Sequence, residues 1–195
     1  MNDFLDRKKA VGLGIAVLVC GALAFFAKDA LRPPDVRVST LAVPAAKVVF
    51  HGGPLLVRNR EGAVRDLAAK TGKGLILHFW ATWCGPCQEE MPGLVKFVKE
   101  TQGDRNVEFL AVSVDTDWKV VDAWLKARGI TDLPLALDPN GDTAHVVGTD
   151  KYPETWFVLP SGEVLRHAIG EEDWNDPKLR EFAAEFSRAA GAARS

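Results

Sequence analysis

Cysteine is scarce in this chain. Three among 195 residues are too few, and odd in number, for the stapled framework of a small disulfide-rich domain. Two of them, Cys84 and Cys87, lie close together, while Cys20 sits alone in an apolar run. Histidine is also thin, with His51, His78, His145 and His167 scattered singly, and a second CxxC pair is missing. A structural zinc site, which normally takes four Cys or His ligands, therefore lacks its donors. An excess of one charge is lacking too: 24 Lys and Arg against 26 Asp and Glu leave a net charge of −2. The basic residues are spread and not striped, which excludes the electrostatic footprint of a nucleic-acid binder. The sequence has no nucleotide-binding motif, internal repeat, low-complexity tract or acidic tail. What remains is an ordinary globular mixture, 47% hydrophobic and 26% charged, in which one Tyr stands beside six Trp and ten Phe. That aromatic set suits packing better than surface recognition.

One long hydrophobic run is present. Ala10 to Ala27 carries no charge, and as a helix it would reach about 27 Å, close to the roughly 30 Å hydrocarbon core of a bilayer. A small domain cannot supply apolar neighbours on every side of such a helix. The run is longer than the apolar region of a signal peptide, so a retained anchor fits it better than a cleaved leader. Arg7, Lys8 and Lys9 before it balance Lys28, Arg32 and Arg37 after it. The tighter basic cluster leans towards an N-terminus left inside. The chain then reads as a cytoplasmic tail (1–9), a transmembrane anchor (10–27), a linker (28–46) holding Pro33, Pro34 and Pro44, a domain (47–190) and a short tail (191–195).

Within the domain, Val48–Phe50 and Leu55–Val57 are β-prone, with a hairpin turn at Asn59–Gly62. Asp66 is placed to cap a helical turn running to Lys70. Gly74–Ala81 is a near-continuous apolar run, the mark of a central strand covered on both faces. A helix is expected from Gly85 to Glu100, bent at Pro92, followed by a strand at Val107–Val114. Trp118, Val121, Trp124 and Leu125 recur at helical spacing, with Gly129 as the stop. A strand at Pro134–Leu137, a helix at Asp142–Val147, a hairpin of Glu154–Leu159 with Glu163–Ile169, and an amphipathic helix from Asp176 to Ala190 complete the domain. The order implies an α/β fold, a mixed sheet sandwiched by helices.

The chemistry is concentrated in Trp83-Cys84-Gly85-Pro86-Cys87, where the buried strand turns into the helix. A thiolate, not a thiol, attacks a disulfide, and a free cysteine with a pKa of about 8.5 supplies little thiolate at neutral pH. Unpaired N–H groups and the positive end of the dipole at a helix N-terminus favour the charged sulfur. Cys84 is expected there, exposed, with Cys87 one turn further in, ready to resolve a mixed disulfide. Pro86 belongs in the first turn, where its missing N–H is not needed.

These residues resemble the thioredoxin superfamily, and more closely its membrane-tethered, extracytoplasmic TlpA/ResA-like and CcmG/DsbE-like branch. The resemblance covers about residues 48–170. It rests on HFWATWCGPCQEEMP (78–92), VSVD (112–115), LALDPNG (135–141) and YPETWFVLPSGEVLRHAIG (152–170). It implies a thioredoxin-like sheet with an N-terminal β-hairpin extension and a strand–helix insertion between VSVD and Tyr152. It also implies that the domain lies outside the cytoplasm, on the periplasmic side of a bacterial inner membrane.

Further site residues follow from the resemblance. Pro153 matches the family's cis-proline, whose job would be to bar metal capture and present the Tyr152 backbone to a substrate chain; the other reading is an ordinary trans turn proline. Glu90 falls where ResA-like chains carry a glutamate near the thiols. It is either a proton shuttle or a solvated carboxylate like Glu89. His78 departs from the family, in which this strand position commonly holds Asn. Strand alternation puts it on the face of Ile76 and Trp80, as a proton carrier or as a core imidazole satisfied by a carbonyl. The implied activity is thiol–disulfide exchange with no organic cofactor beyond the redox-active pair. Disulfide-bearing client proteins and a membrane electron donor are the implied partners. The Gly-Pro dipeptide matches reducing thioredoxin, at about −270 mV, so a reductase is expected, in cytochrome c maturation or a related assembly. A disulfide-forming oxidase, a Cu(I) chaperone and a peroxidase are the competing readings.

Overall fold

The apolar run after Gly74 forms the centre of one mixed sheet. The computed structural model describes residues 55–67 and 71–193. In chain order the described elements begin with β1 (Leu56–Arg58), β2 (Val64–Asp66), β3 (Gly74–Trp80), α1 (Gly85–Thr101), β4 (Val107–Ser113) and α2 (Trp118–Ala127). Then come β5 (Leu135–Leu137), α3 (Asp142–Val147), β6 (Glu154–Val158), β7 (Val164–Ile169) and α4 (Pro177–Ala192). The strands lie in the order β2-β1-β5-β4-β3-β6-β7. β3 runs parallel to β4 and antiparallel to β6, so both of its edges are paired.

Both faces of β3 are covered, which is why its sequence shows no polar alternation. Ile76 and Trp80 pack with Leu94 and Phe97 of α1, Val121 and Leu125 of α2, and Leu179 and Phe186 of α4. Leu77 and Phe79 face the other way, onto Ala144 and Val147 of α3 and the hairpin residues Leu55 and Val57. Each fully buried side chain of this size contributes about 1.5–3 kcal/mol. At the start of β3, a Cβ on Gly74 would lie 2.8 Å from the Phe186 ring and 2.9 Å from the Ala190 methyl. The glycine lets α4 press directly on the strand.

The hairpin extension and the insertion are both present. β1 pairs antiparallel with β2 and, through Arg58 and Leu137, with β5. The turn closes with Gly62 N–H donating to Asn59 O, at a Gly62 φ of 81° that suits glycine. The Trp118 indole donates to Asn59 O at 2.9 Å, which ties the turn to α2. The insertion supplies β5 and α3. Gly141 cannot cap α3 with a side chain, and Asp138 Oδ2 instead accepts the Ala144 N–H at 2.9 Å.

Several expectations shift. Asp66 ends β2, and its Oδ1 accepts the Leu55 N–H at 3.0 Å; the helical turn expected after it runs into residues outside those described. The first hairpin strand starts at Leu56 and includes Arg58; Pro134, Leu159 and Glu163 fall outside their expected strands. α4 runs to Ala192, two residues beyond the expected domain end at 190. Residues 1–54, 68–70 and 194–195 lie outside the described residues, and with them the tail 1–9, the apolar segment 10–27, the linker 28–46, the strand at Val48–Phe50, the turn to Lys70 and the last residues of the tail 191–195. Among the described residues, no helix is long and apolar enough to cross a membrane.

Candidate active site

At the C-terminal end of β3 the chain makes a tight loop, Ala81 to Cys84, before α1 begins. Asp115, two residues beyond the end of β4, holds this loop. Its carboxylate accepts the Thr82 N–H at 2.9 Å and the Thr82 hydroxyl at 2.7 Å, and also takes the Ser113 hydroxyl at 2.7 Å. Asp115 is only 2% exposed, so a buried carboxylate here is held by three donors, as buried charge requires. On the outer side, the Gln88 amide donates to Thr82 O at 2.8 Å, and Arg128, lying over the Trp124 ring at 3.9 Å, donates to Gln88 Oε1 at 3.2 Å.

Cys84 is the N-cap of α1, and its sulfur accepts the Cys87 N–H at 3.2 Å. Gly85 and Pro86 occupy the first turn, where Pro is tolerated. The two cysteines form a disulfide across a Cα–Cα distance of 5.3 Å. Cys84 was expected to be exposed, yet only 7% of it is, against 0% for Cys87. The neighbours explain the difference: Tyr152 O sits 3.4 Å from Cys84 Sγ, and the Tyr152 ring meets the edge of Trp83 at 6.0 Å. Trp83 itself stands out, 65% exposed. The Tyr152–Pro153 bond is cis, as the resemblance implies. Burial first, then the charges of Asp138, Glu154 and Asp150, raise the Tyr152 phenol above its ordinary value.

Glu90 and His78 meet in the core below. Glu90 is not solvated like Glu89: it is 7% exposed, and its Oε2 accepts the Glu172 N–H at 2.8 Å and the Trp174 indole N–H at 3.0 Å. His78 is fully buried, but a carbonyl does not satisfy it. Nδ1 pairs with Thr155 Oγ1 at 2.9 Å, and Nε2 lies 3.2 Å from Glu90 Oε1. That last approach is off hydrogen-bond alignment, so both atoms lack an aligned partner among the described residues. Trp174 closes the site, edge-on to His78 at 5.9 Å. Next to Pro153, the buried Glu154 pairs with His167, which stacks on Trp156.

The structure thus brings Trp83, Cys84, Cys87 and Tyr152 together, and places His78 with Glu90. Sequence reasoning assigned nothing to Asp115, Thr82 or Trp174. Asp115 had a readable signal, an acid closing a buried strand in VSVD. Trp174 had none, since 84 residues separate it from Glu90. Among the described residues, no group of three or more His, Cys, Asp or Glu is placed to hold a metal ion.

Comparison with known proteins agrees with this geometry. The family model described as the AhpC/TSA family matches residues 50–167. The chain is 39% identical over 99 residues to "Thiol-disulfide oxidoreductase ResA" of Oceanobacillus iheyensis, a stretch covering 51% of this chain and half of that protein. It is 32% identical over 120 residues to the protein of the same name in Geobacillus thermodenitrificans, covering 60% of this chain and 67% of that one. Among solved structures, StoA from Bacillus subtilis superposes with a TM-score of 0.55 at 27% identity, over 66% of this chain and 94% of that one. With a closed cysteine pair capping a helix beside a cis-proline, and with these relatives, the chain belongs to the AhpC/TSA family, among its thioredoxin-like, ResA-related thiol–disulfide oxidoreductases.

Proposed function

We propose that this protein reduces disulfides in extracytoplasmic client proteins through Cys84 and Cys87, held at a membrane by residues 10–27. The observation that carries the reading is the unequal cover of the two cysteines, 7% exposed at Cys84 and none at Cys87. Cys84 is thus the cysteine on which an incoming sulfur acts, and Cys87 the one that resolves.

In the reduced chain, the Cys84 thiolate attacks a client disulfide; one client sulfur bonds to Cys84 and the other leaves as a thiolate. Cys87 then loses its proton and attacks Cys84 Sγ. The Cys84–client bond breaks, the Cys84–Cys87 bond forms, and the second client thiolate departs and takes a proton. Two protein thiols are oxidised and one client disulfide is reduced. The helix N-terminus favours the Cys84 thiolate. Tyr152 O, beside Cys84 Sγ, offers backbone to which an extended client segment can pair, and Trp83 supplies an exposed apolar platform. Glu90, one turn along α1 from Cys87, is the acceptor for the Cys87 proton. A membrane electron carrier returns the pair to the dithiol, and cytochrome c maturation is the kind of assembly that uses such a reductase.

Trapping tests the reading. A Cys87→Ala variant of the full chain, expressed in a native membrane, should accumulate mixed disulfides with client proteins, whereas Cys84→Ala should trap none. Trapping by neither variant, or by Cys84→Ala alone, would overturn the proposal. A reduction potential at the oxidising end, near −120 mV instead of about −270 mV, would reverse the direction and leave the exchange intact.

A further inference from the structure

Resting on that reading, we infer that His78 is a positioning residue for the resolving step: with Glu90 it forms a buried slot for the proton that leaves Cys87. Three observations place it there. Nε2 of His78 and Oε1 of Glu90 face each other at 3.2 Å, with neither atom in an aligned hydrogen bond. Every other polar atom of the two side chains is engaged: His78 Nδ1 with Thr155 Oγ1, and Glu90 Oε2 with Trp174 and the Glu172 backbone. Glu90 also lies three residues beyond Cys87 on α1, a spacing that puts the two side chains on neighbouring ground, and both are buried.

The unaligned contact has a chemical meaning. Nε2 and Oε1 are two buried polar atoms that face each other without an aligned hydrogen bond to anything else among the described residues. Buried polar atoms left without a partner are costly. The gap between them is therefore a place where one proton can be received and released. When Cys87 attacks, its thiol proton passes to Glu90 Oε1 and is shared with His78 Nε2. The sulfur electron pair makes the Cys84–Cys87 bond, and the client leaves with the electrons of the broken bond. The proton then exits through the cleft where Glu89, Glu90, Glu171, Glu172 and Asp173 meet Trp174.

The other groups facing the pair do not carry this role. β6 presents the Thr155 hydroxyl, β4 the Phe109 ring at 6.4 Å, and the segment before α4 the Trp174 indole and the Glu172 N–H. The Glu172 carboxylate is taken by both oxygens on Arg166. Glu89, Glu171 and Asp173 sit at the cleft mouth.

The test uses the reduced full chain mixed with an aromatic disulfide that releases a coloured thiolate, followed by stopped flow between about pH 5 and 9. The first release reports attack by Cys84 and the second reports resolution by Cys87. His78→Asn is expected to slow the second phase by about tenfold and leave the first within about twofold. Glu90→Gln should slow the same phase, and the double variant should be no slower than Glu90→Gln alone, because His78 acts through Glu90. An unchanged second phase in His78→Asn, or effects that multiply in the double variant, would overturn the inference while leaving exchange itself standing. A wild-type chain that releases no first thiolate removes both. If either variant loses its fold, the wild type decides: the ring-nitrogen resonances of His78 should shift between the oxidised and reduced chains, and identical spectra would refute the slot.

Discussion

The Asp115 carboxylate grips Thr82 at two points, the backbone N–H at 2.9 Å and the hydroxyl at 2.7 Å, although the residues lie 33 positions apart. The tip of β4 thereby sets the loop that aims Cys84. Since α1 starts at that cysteine, the direction of the sulfur depends on a carboxylate from another strand.

Asp115→Ala leaves the Thr82 N–H and the Ser113 and Thr82 hydroxyls without their acceptor in a buried place. Each such loss costs about 1–3 kcal/mol, partly relieved by water, so a net loss of about 2–4 kcal/mol in urea unfolding is expected. Slower attack by Cys84 on a small disulfide should accompany it. Asp115→Asn keeps one acceptor oxygen and should fall between this variant and the wild type. Full stability in Asp115→Ala would show that the loop is held elsewhere.

The unequal cover of the two cysteines makes a prediction about labelling. In the reduced chain, a small alkylating reagent at neutral pH should modify Cys84 and spare Cys87, as read by peptide mass. Denaturant should make both react. Preferential modification of Cys87 in the folded chain would contradict the assigned order of attack.

Asp138 gives a pH signature. Burial, more than any other cause, raises its carboxyl above the ordinary Asp range, against the hydrogen bond from Ala144. The folded chain therefore holds this proton more tightly than the unfolded chain. Its share of stability is fullest below the unfolded value of about 3.9. It declines as pH rises from there through the raised folded value, and stays lower above it. Asp138→Asn keeps an oxygen for the Ala144 N–H without the buried charge, so it should be at least as stable as wild type at pH 7 and lack this decline. Urea midpoints from pH 4 to 8 measure it, and a variant less stable than wild type at pH 7 would argue against the assignment.

Gly74→Ala tests the seat of α4. The added methyl would come within 3 Å of both Phe186 and Ala190, an overpacking that costs about 1–3 kcal/mol. A lower thermal midpoint with unchanged labelling of Cys84 is expected, because the clash lies at the far end of β3 from the cysteines. Trimming the ring in Phe186→Leu should recover part of the loss.

Much of the fold was legible because its signals are local. The apolar run of β3, the helical spacing in α2, the Pro-Ser-Gly turn between β6 and β7 and the Asn59–Gly62 turn each announce an element within a few residues. The limits of the strands were less legible: Pro134, Leu159 and Glu163 fall outside the strands expected to hold them, because cross-strand pairing sets those limits. Exposure of Cys84 was misjudged for a similar reason, since its cover is Tyr152, 68 positions along the chain and just before the neighbouring strand β6.

The sequence by itself determined where the chemistry sits: a CxxC pair at the joint between a fully buried strand and a helix leaves little room for another reading. Tertiary structure alone decided what surrounds it. Glu89 and Glu90 are the same residue type on adjacent positions, and nothing local separates them. One step of about 100° around α1 turns Glu90 inward, where His78 of β3 and Trp174 receive it, and leaves Glu89 towards water. Which carboxylate is buried depends on how the helix is rotated against the sheet. Packing over long chain separations sets that rotation, and local sequence does not record it.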